Sequence, residues 1–139
     1  MKTWHVASIN DFGGGVGQYN EAILQQGNSQ HVLPDRTRPQ VEWKSYDGAG
    51  NVFDYTKGFV NYFDLTLPLE LLNADWLIAL EVGEHVPYEY EGMVIRNFHH
   101  HNCKDIIISW AVVGQDGHSH VKNHTNDYVI SIFKELGYI

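Results

Sequence analysis

The stretch Trp4-His5-Val6-Ala7-Ser8-Ile9-Asn10-Asp11-Phe12-Gly13-Gly14-Gly15-Val16-Gly17-Gln18-Tyr19-Asn20-Glu21-Ala22-Ile23-Leu24 decides the fold. Residues 4–10 predict a short, mostly buried strand, Gly13 to Gly17 break it, and Tyr19 to Leu24 begin a helix. Glycine suits such a break because the backbone must turn tightly and approach a bound ligand where a Cβ would collide. The N-H groups opening the next helix can then meet a carboxylate or a phosphate.

Outward from this unit the pattern alternates. Gln40 to Tyr46 predicts a second strand ended by the turn pair Asp47-Gly48, and Phe59 to Phe63 a third. Asp75 to Leu80 and Asp105 to Ala111 are nearly continuous apolar runs, which predict two central strands covered on both faces. Tyr88 to His101 and Asp127 to Leu136 carry apolar residues at helical spacing. Alternating strands and helices predict an α/β, Rossmann-like fold with a mainly parallel sheet and helices on both faces. With 139 residues and no repeat or linker, one domain over 1–139 is expected.

The charge balance, 17 acidic against 9 basic residues, gives −8 and disfavours a nucleic-acid partner or an anionic membrane surface. No run of about 18 apolar residues is present to span a bilayer. Met1 to His5 lacks the apolar core of a signal peptide, and the single Cys103 excludes an intrachain disulfide, so a cytoplasmic location is expected. No activating arrangement surrounds Cys103 in sequence, and it is read as inert.

Asp11 to Gly17 follows the spacing acidic-x-Gly-x-Gly-x-Gly, and Asp47, 30 residues beyond Gly17, stands where a carboxylate accepts hydrogen bonds from both ribose hydroxyls. The other reading of Asp47 is a plain turn aspartate before Gly48. The Asp11–Gly17 segment resembles motif I of class I S-adenosylmethionine-dependent methyltransferases, whereas the nicotinamide pattern Gly-x-Gly-x-x-Gly fits poorly. The resemblance covers roughly residues 4 to 136. It implies an S-adenosylmethionine site on Asp11, Gly13, Gly15, Gly17, Asp47, Asp64 and Leu80, with Asp11 at the methionine end and Asp64 at the adenine amino group. A turn or helix-cap role for Asp64 is the alternative.

Leu80-Glu81-Val82-Gly83-Glu84-His85 resembles the Glu-Val-x-Glu-His stretch of a methyltransferase subgroup that includes ubiquinone-pathway O-methyltransferases and small-RNA 2'-O-methyltransferases. The resemblance implies transfer to a small-molecule acceptor, at oxygen, with Glu81, His85 and His118 as catalytic candidates. It also implies a divalent metal, magnesium, manganese or zinc, on Glu81, Glu84, His85 and His120. A metal-free general base at His85 and a purely structural Glu-His turn are the alternatives. Trp110, Gln115, His118 and His120 are expected to face the substrate, and His99-His100-His101 to be solvated surface at a helix end.

The family ordinarily closes its sheet with an antiparallel hairpin beside the fifth strand, and the sequence has no segment for one after Leu136. The fifth strand is therefore expected to be an open edge that a second copy covers, giving a homo-oligomer. A minimal module that binds the cofactor without methyl transfer, or a metal-dependent enzyme using Glu81, Glu84 and His85, are the other functions considered.

Overall fold

The computed structural model describes residues 7–27, 41–117, 121 and 123–139. Strand β1 (Ala7–Phe12) leads through the glycine turn to α1 (Gln18–Gly27); β2 (Val41–Asp47), α2 (Val52–Tyr55) and β3 (Val60–Tyr62) follow. Next come β4 (Ala74–Leu80), 3-10 turns at Gly83–His85 and Tyr88–Tyr90, α3 (Glu91–His100), β5 (Asn102–Ser109) and α4 (Asn126–Glu135). The strands form one sheet in the order β3-β2-β1-β4-β5, and every pairing is parallel. This is the expected Rossmann-like α/β fold. Among the described residues no antiparallel strand joins the sheet.

The pleat sorts the side chains. Phe12 on β1 and Tyr46 on β2 are register partners and point into a cluster with Phe63, Leu77, Ala79, Val94, Phe98 and Phe133. Phe12 is edge-on to both Tyr46 and Phe63, at 5.7 and 5.0 Å between ring centres. Helices α3 and α4 close this side with Val94, Phe98 and Phe133. On the other face, Asp11 accepts hydrogen bonds from Trp43 Nε1 and Ser45 Oγ. From α1, Asn20 Nδ2 donates to the carbonyl of Trp43.

Three expectations need correction. The fifth strand is the edge that the lack of a hairpin beside it implies, and not the central strand that its apolar run predicts; its Cys103, Lys104, Asp105 and Ile107 are exposed. The helix expected from Tyr88 begins at Glu91, because Tyr88–Tyr90 winds as a 3-10 turn after Pro87. Helix α2 was not expected, its four residues being too few to show a period. The first strand continues through Asp11 and Phe12, while Trp4, His5, Val6 and Gln40 lie outside the described residues.

Buried polar side chains brace the connection into β4. Asn97 is fully buried on α3; its Oδ1 accepts from the Leu69 N-H, and its Nδ2 donates to the carbonyls of Leu65 and Leu67. His101 corrects another expectation. It is buried rather than solvated, with Nδ1 2.7 Å from the Asn97 carbonyl and Nε2 accepting from the Leu71 N-H at 3.2 Å. His99 and His100 remain exposed. A buried histidine and a solvated one look alike in sequence when both follow an amphipathic helix.

Candidate functional site

The sheet order reverses direction between β1 and β4, and in open parallel sheets the crevice beyond the carboxyl ends at that point takes the ligand. A cavity of about 890 Å³ opens there, within the usual size range of small-molecule sites. Its wall is built from Gly13, residues 47–49, residues 62–66, Glu81, Val82 and residues 85–87.

Gly13 has φ +78°, and a Cβ there would lie 2.4 Å from Val82 Cγ2, so only glycine lets β1 turn against the β4 loop. The Gly13 and Gly14 N-H groups both donate to the Tyr46 carbonyl, at 2.8 and 3.0 Å. Gly15, at φ +58°, has room for a Cβ, which would meet nothing within 4 Å, and it lies outside this wall. Gly17 lies against Phe59, away from the cavity wall.

Asp47 is on the wall. Its Oδ2 accepts from the Gly15 N-H at 2.9 Å and its Oδ1 from the Ala49 N-H at 2.9 Å, so one carboxylate ties the glycine turn to the loop after β2. Asp64 is also on the wall, and its Oδ1 accepts from both the N-H and the hydroxyl of Thr66 in a local turn. Asp11 is elsewhere: it is 3% exposed, held by Trp43 and Ser45, and not on the wall. Burial raises its carboxyl above the ordinary range, opposed by those two hydrogen bonds and reinforced by the charge of Asp47. Leu80 likewise lies outside the wall, at the end of β4 opposite Ser109.

After β4 the chain turns sharply. Glu81 adopts φ +55°, a left-handed conformation that is strained for a residue with a Cβ, and its N-H is held by the carbonyl and hydroxyl of Ser109. Its Oε2 accepts from Gln115 Nε2 at 3.1 Å. The 3-10 turn that follows separates the next two side chains: Glu84 is fully buried, while His85 is exposed on the cavity wall. Burial raises the Glu84 carboxyl, against a bond from its own backbone and with a further rise from neighbouring Glu81.

That divergence gives the expected metal centre no support among the described residues. Among the described residues no three His, Cys, Asp or Glu side chains are grouped to hold a metal, because Glu84 turns into the protein and His85 out of it. His118 and His120 lie outside the described residues. Trp110, expected at the substrate, is 7% exposed and packs behind Gly83 in the core cluster. Gln115 is exposed and bridges Glu81 to the segment after β5, its carbonyl accepting from Asn123 Nδ2 at 2.9 Å.

A second constellation went unread in the sequence. Glu91 Oε2 lies 2.6 Å from His124 Nε2, and Glu91 Oε1 accepts from the Tyr128 hydroxyl at 2.5 Å. The hydrogen bond to Glu91, then burial, push the Tyr128 phenol up to about 12. Glu91 opens a helix and Tyr128 follows the Thr125 cap of another, positions that look like ordinary helix starts. The pairing joins residues 33 and 37 positions apart, which no local spacing reveals.

No family model and no curated protein matches the sequence. Solved structures do. The chain is similar to the CMeT domain of the citrinin polyketide synthase (TM-score 0.68, 14% identity), with 99% of this chain and 42% of that one covered. It is similar to a SAM-dependent methyltransferase from Archaeoglobus fulgidus (0.66, 17%, covering 98% and 62%). It is also similar to magnesium protoporphyrin IX methyltransferase from Synechocystis PCC 6803, solved with bound SAH (0.65, 16%, covering 97% and 65%). The chain thus has the class I methyltransferase fold. It spans less than two thirds of the length of each of these proteins.

Proposed function

We propose that the chain is an S-adenosylmethionine-dependent methyltransferase acting on a small-molecule acceptor, at oxygen. The observation that carries this reading is the cavity at the sheet's reversal point, where Asp47, Asp64, Glu81 and His85 share a wall with the left-handed Gly13. The residues suit the cofactor: the left-handed turn at Gly13 brings backbone to the wall, and the Asp47 carboxylate, an acceptor-only group, matches ribose hydroxyls. Asp64 is the acceptor for the adenine amino group. When bound, S-adenosylmethionine supplies an electrophilic methyl group on a cationic sulfur.

The described wall carries three carboxylates and no lysine or arginine. Such a wall favours a cationic cofactor with a neutral or cationic acceptor, and disfavours phosphate-rich nucleic acid. Val82, Val86 and Pro87 supply apolar contact that holds the acceptor in line and limits water. His85, exposed on that wall, is the general base that takes the acceptor proton, and Glu81 orients the acceptor group. The reading includes a cytoplasmic location and self-association through the open β5 edge. Among the described residues, no helix is long and apolar enough to cross a membrane.

The deciding experiment is calorimetric titration with S-adenosylmethionine and S-adenosylhomocysteine, using wild type and Asp47→Ala, with and without magnesium. Saturable binding to wild type that is lost in the variant is expected, followed by release of S-adenosylhomocysteine with an acceptor. Binding without turnover across an acceptor panel would favour the module that holds the cofactor without transferring a methyl group. No binding to folded wild type would overturn the reading.

A further inference from the structure

We propose that Glu91 is a positioning residue for the cavity wall at 82–87, acting through His124 and Trp110. Glu91 is 8% exposed and is not itself on the wall. A carboxylate so deep needs donors, and it takes them from His124 in the segment after β5 and Tyr128 in the first turn of α4. Its place at the start of a ten-residue helix adds the favourable end of the helix dipole. The segment after β5 and α4 are thereby both locked to one side chain of α3.

The lock reaches the wall by two routes. The His124 ring lies 5.5 Å from the Trp110 ring, the His124 N-H donates to the Ala111 carbonyl at 3.0 Å, and Trp110 lies directly against Gly83. From the same segment, the Val121 N-H donates to the Glu84 carbonyl at 2.9 Å. Gly83 and Glu84 are the turn between the wall residues Val82 and His85, so releasing His124 frees the turn from behind. The link is mechanical and holds whatever occupies the cavity. Its effect on cofactor binding rests on the proposed function.

Hydrogen exchange by mass spectrometry on the whole chain tests the link. Glu91→Ala should speed exchange of the His85 and Val86 amides, which bond to the carbonyls of Val82 and Gly83, by about tenfold over wild type, with β1 and β2 unchanged. Glu91→Gln keeps an acceptor for Tyr128 and a polar partner for His124, and should stay within about twofold of wild type. If Glu91→Ala does not fold, His124→Phe, which keeps a ring beside Trp110 but loses the bond to Glu91, should speed the same amides by about threefold. Unchanged exchange at 82–87, a rise spread evenly over the chain, or Gln behaving as Ala would each overturn the proposal. Affinity for S-adenosylhomocysteine should fall several-fold in Glu91→Ala and recover in Glu91→Gln; equal affinity in wild type and Ala would also overturn it. Failure of wild type to bind counts against the proposed function, and exchange alone then decides the positioning role.

Discussion

Gly83 and Trp110 are in direct contact: a Cβ on Gly83 would lie 2.3 Å from Trp110 Cη2. The glycine in the Glu-Val-Gly-Glu-His stretch is therefore a seat for an indole ring that is itself in the core cluster. Gly83→Ala should lower stability by about 1–3 kcal/mol through overpacking. Trp110→Ala should cost about 3–5 kcal/mol. Urea unfolding of the double variant should show less than the sum, since the methyl group added at Gly83 then enters the space the ring leaves. Strict additivity would show that the two residues do not share one packing site.

Asp11 is buried beside Trp43 and Ser45, and burial leads the upward shift of its carboxyl. With the folded pKa above the unfolded value, the group favours folding at low pH, below its ordinary range, and that contribution is lost as pH rises through the folded value. Asp11→Asn keeps an acceptor for Trp43 and Ser45 without a charge. Its stability relative to wild type should therefore rise from acid to neutral pH. Thermal unfolding at several pH values measures this, and a constant difference would contradict it.

Tyr128 should titrate late, at about 12, because ionising it breaks its bond to Glu91 and sets two negative charges together. The stability tied to its neutral form is present below the ordinary tyrosine range and is lost as pH rises through about 12. Ultraviolet titration of wild type and Glu91→Ala should show this late phase moving to lower pH in the variant.

Asn97 serves three backbone groups at once, at Leu65, Leu67 and Leu69. Asn97→Ala leaves those groups without their buried partner and should cost about 2–4 kcal/mol. Leu65 lines the cavity, so ligand affinity should fall as well. Chemical unfolding and S-adenosylhomocysteine titration of the one variant separate the two effects.

Gly13→Ala should be more damaging to ligand binding than Gly15→Ala. Both positions have positive φ, but only at Gly13 does the added methyl strike Val82 and displace two walls of the cavity. Comparing the two variants by calorimetry distinguishes this collision from the backbone penalty they share.

The alternation of apolar strands, the glycine break after the first of them and the amphipathic segments determined the class of fold, because each is a local periodicity written in neighbouring residues. Asp47, Glu81 and His85 could be picked out for a similar reason, since residues at strand ends gather on one rim of a parallel sheet, whereas Asp64 followed from the family resemblance alone. Only the tertiary structure decided which faces those side chains took. It turned Asp11 under the glycine turn, sent Glu84 inward and His85 outward, and buried His101 and Trp110. It alone joined Glu91 to His124 and Tyr128. A side chain's identity fixes what it can bond to, whereas its partner and its burial depend on elements brought together from distant parts of the chain.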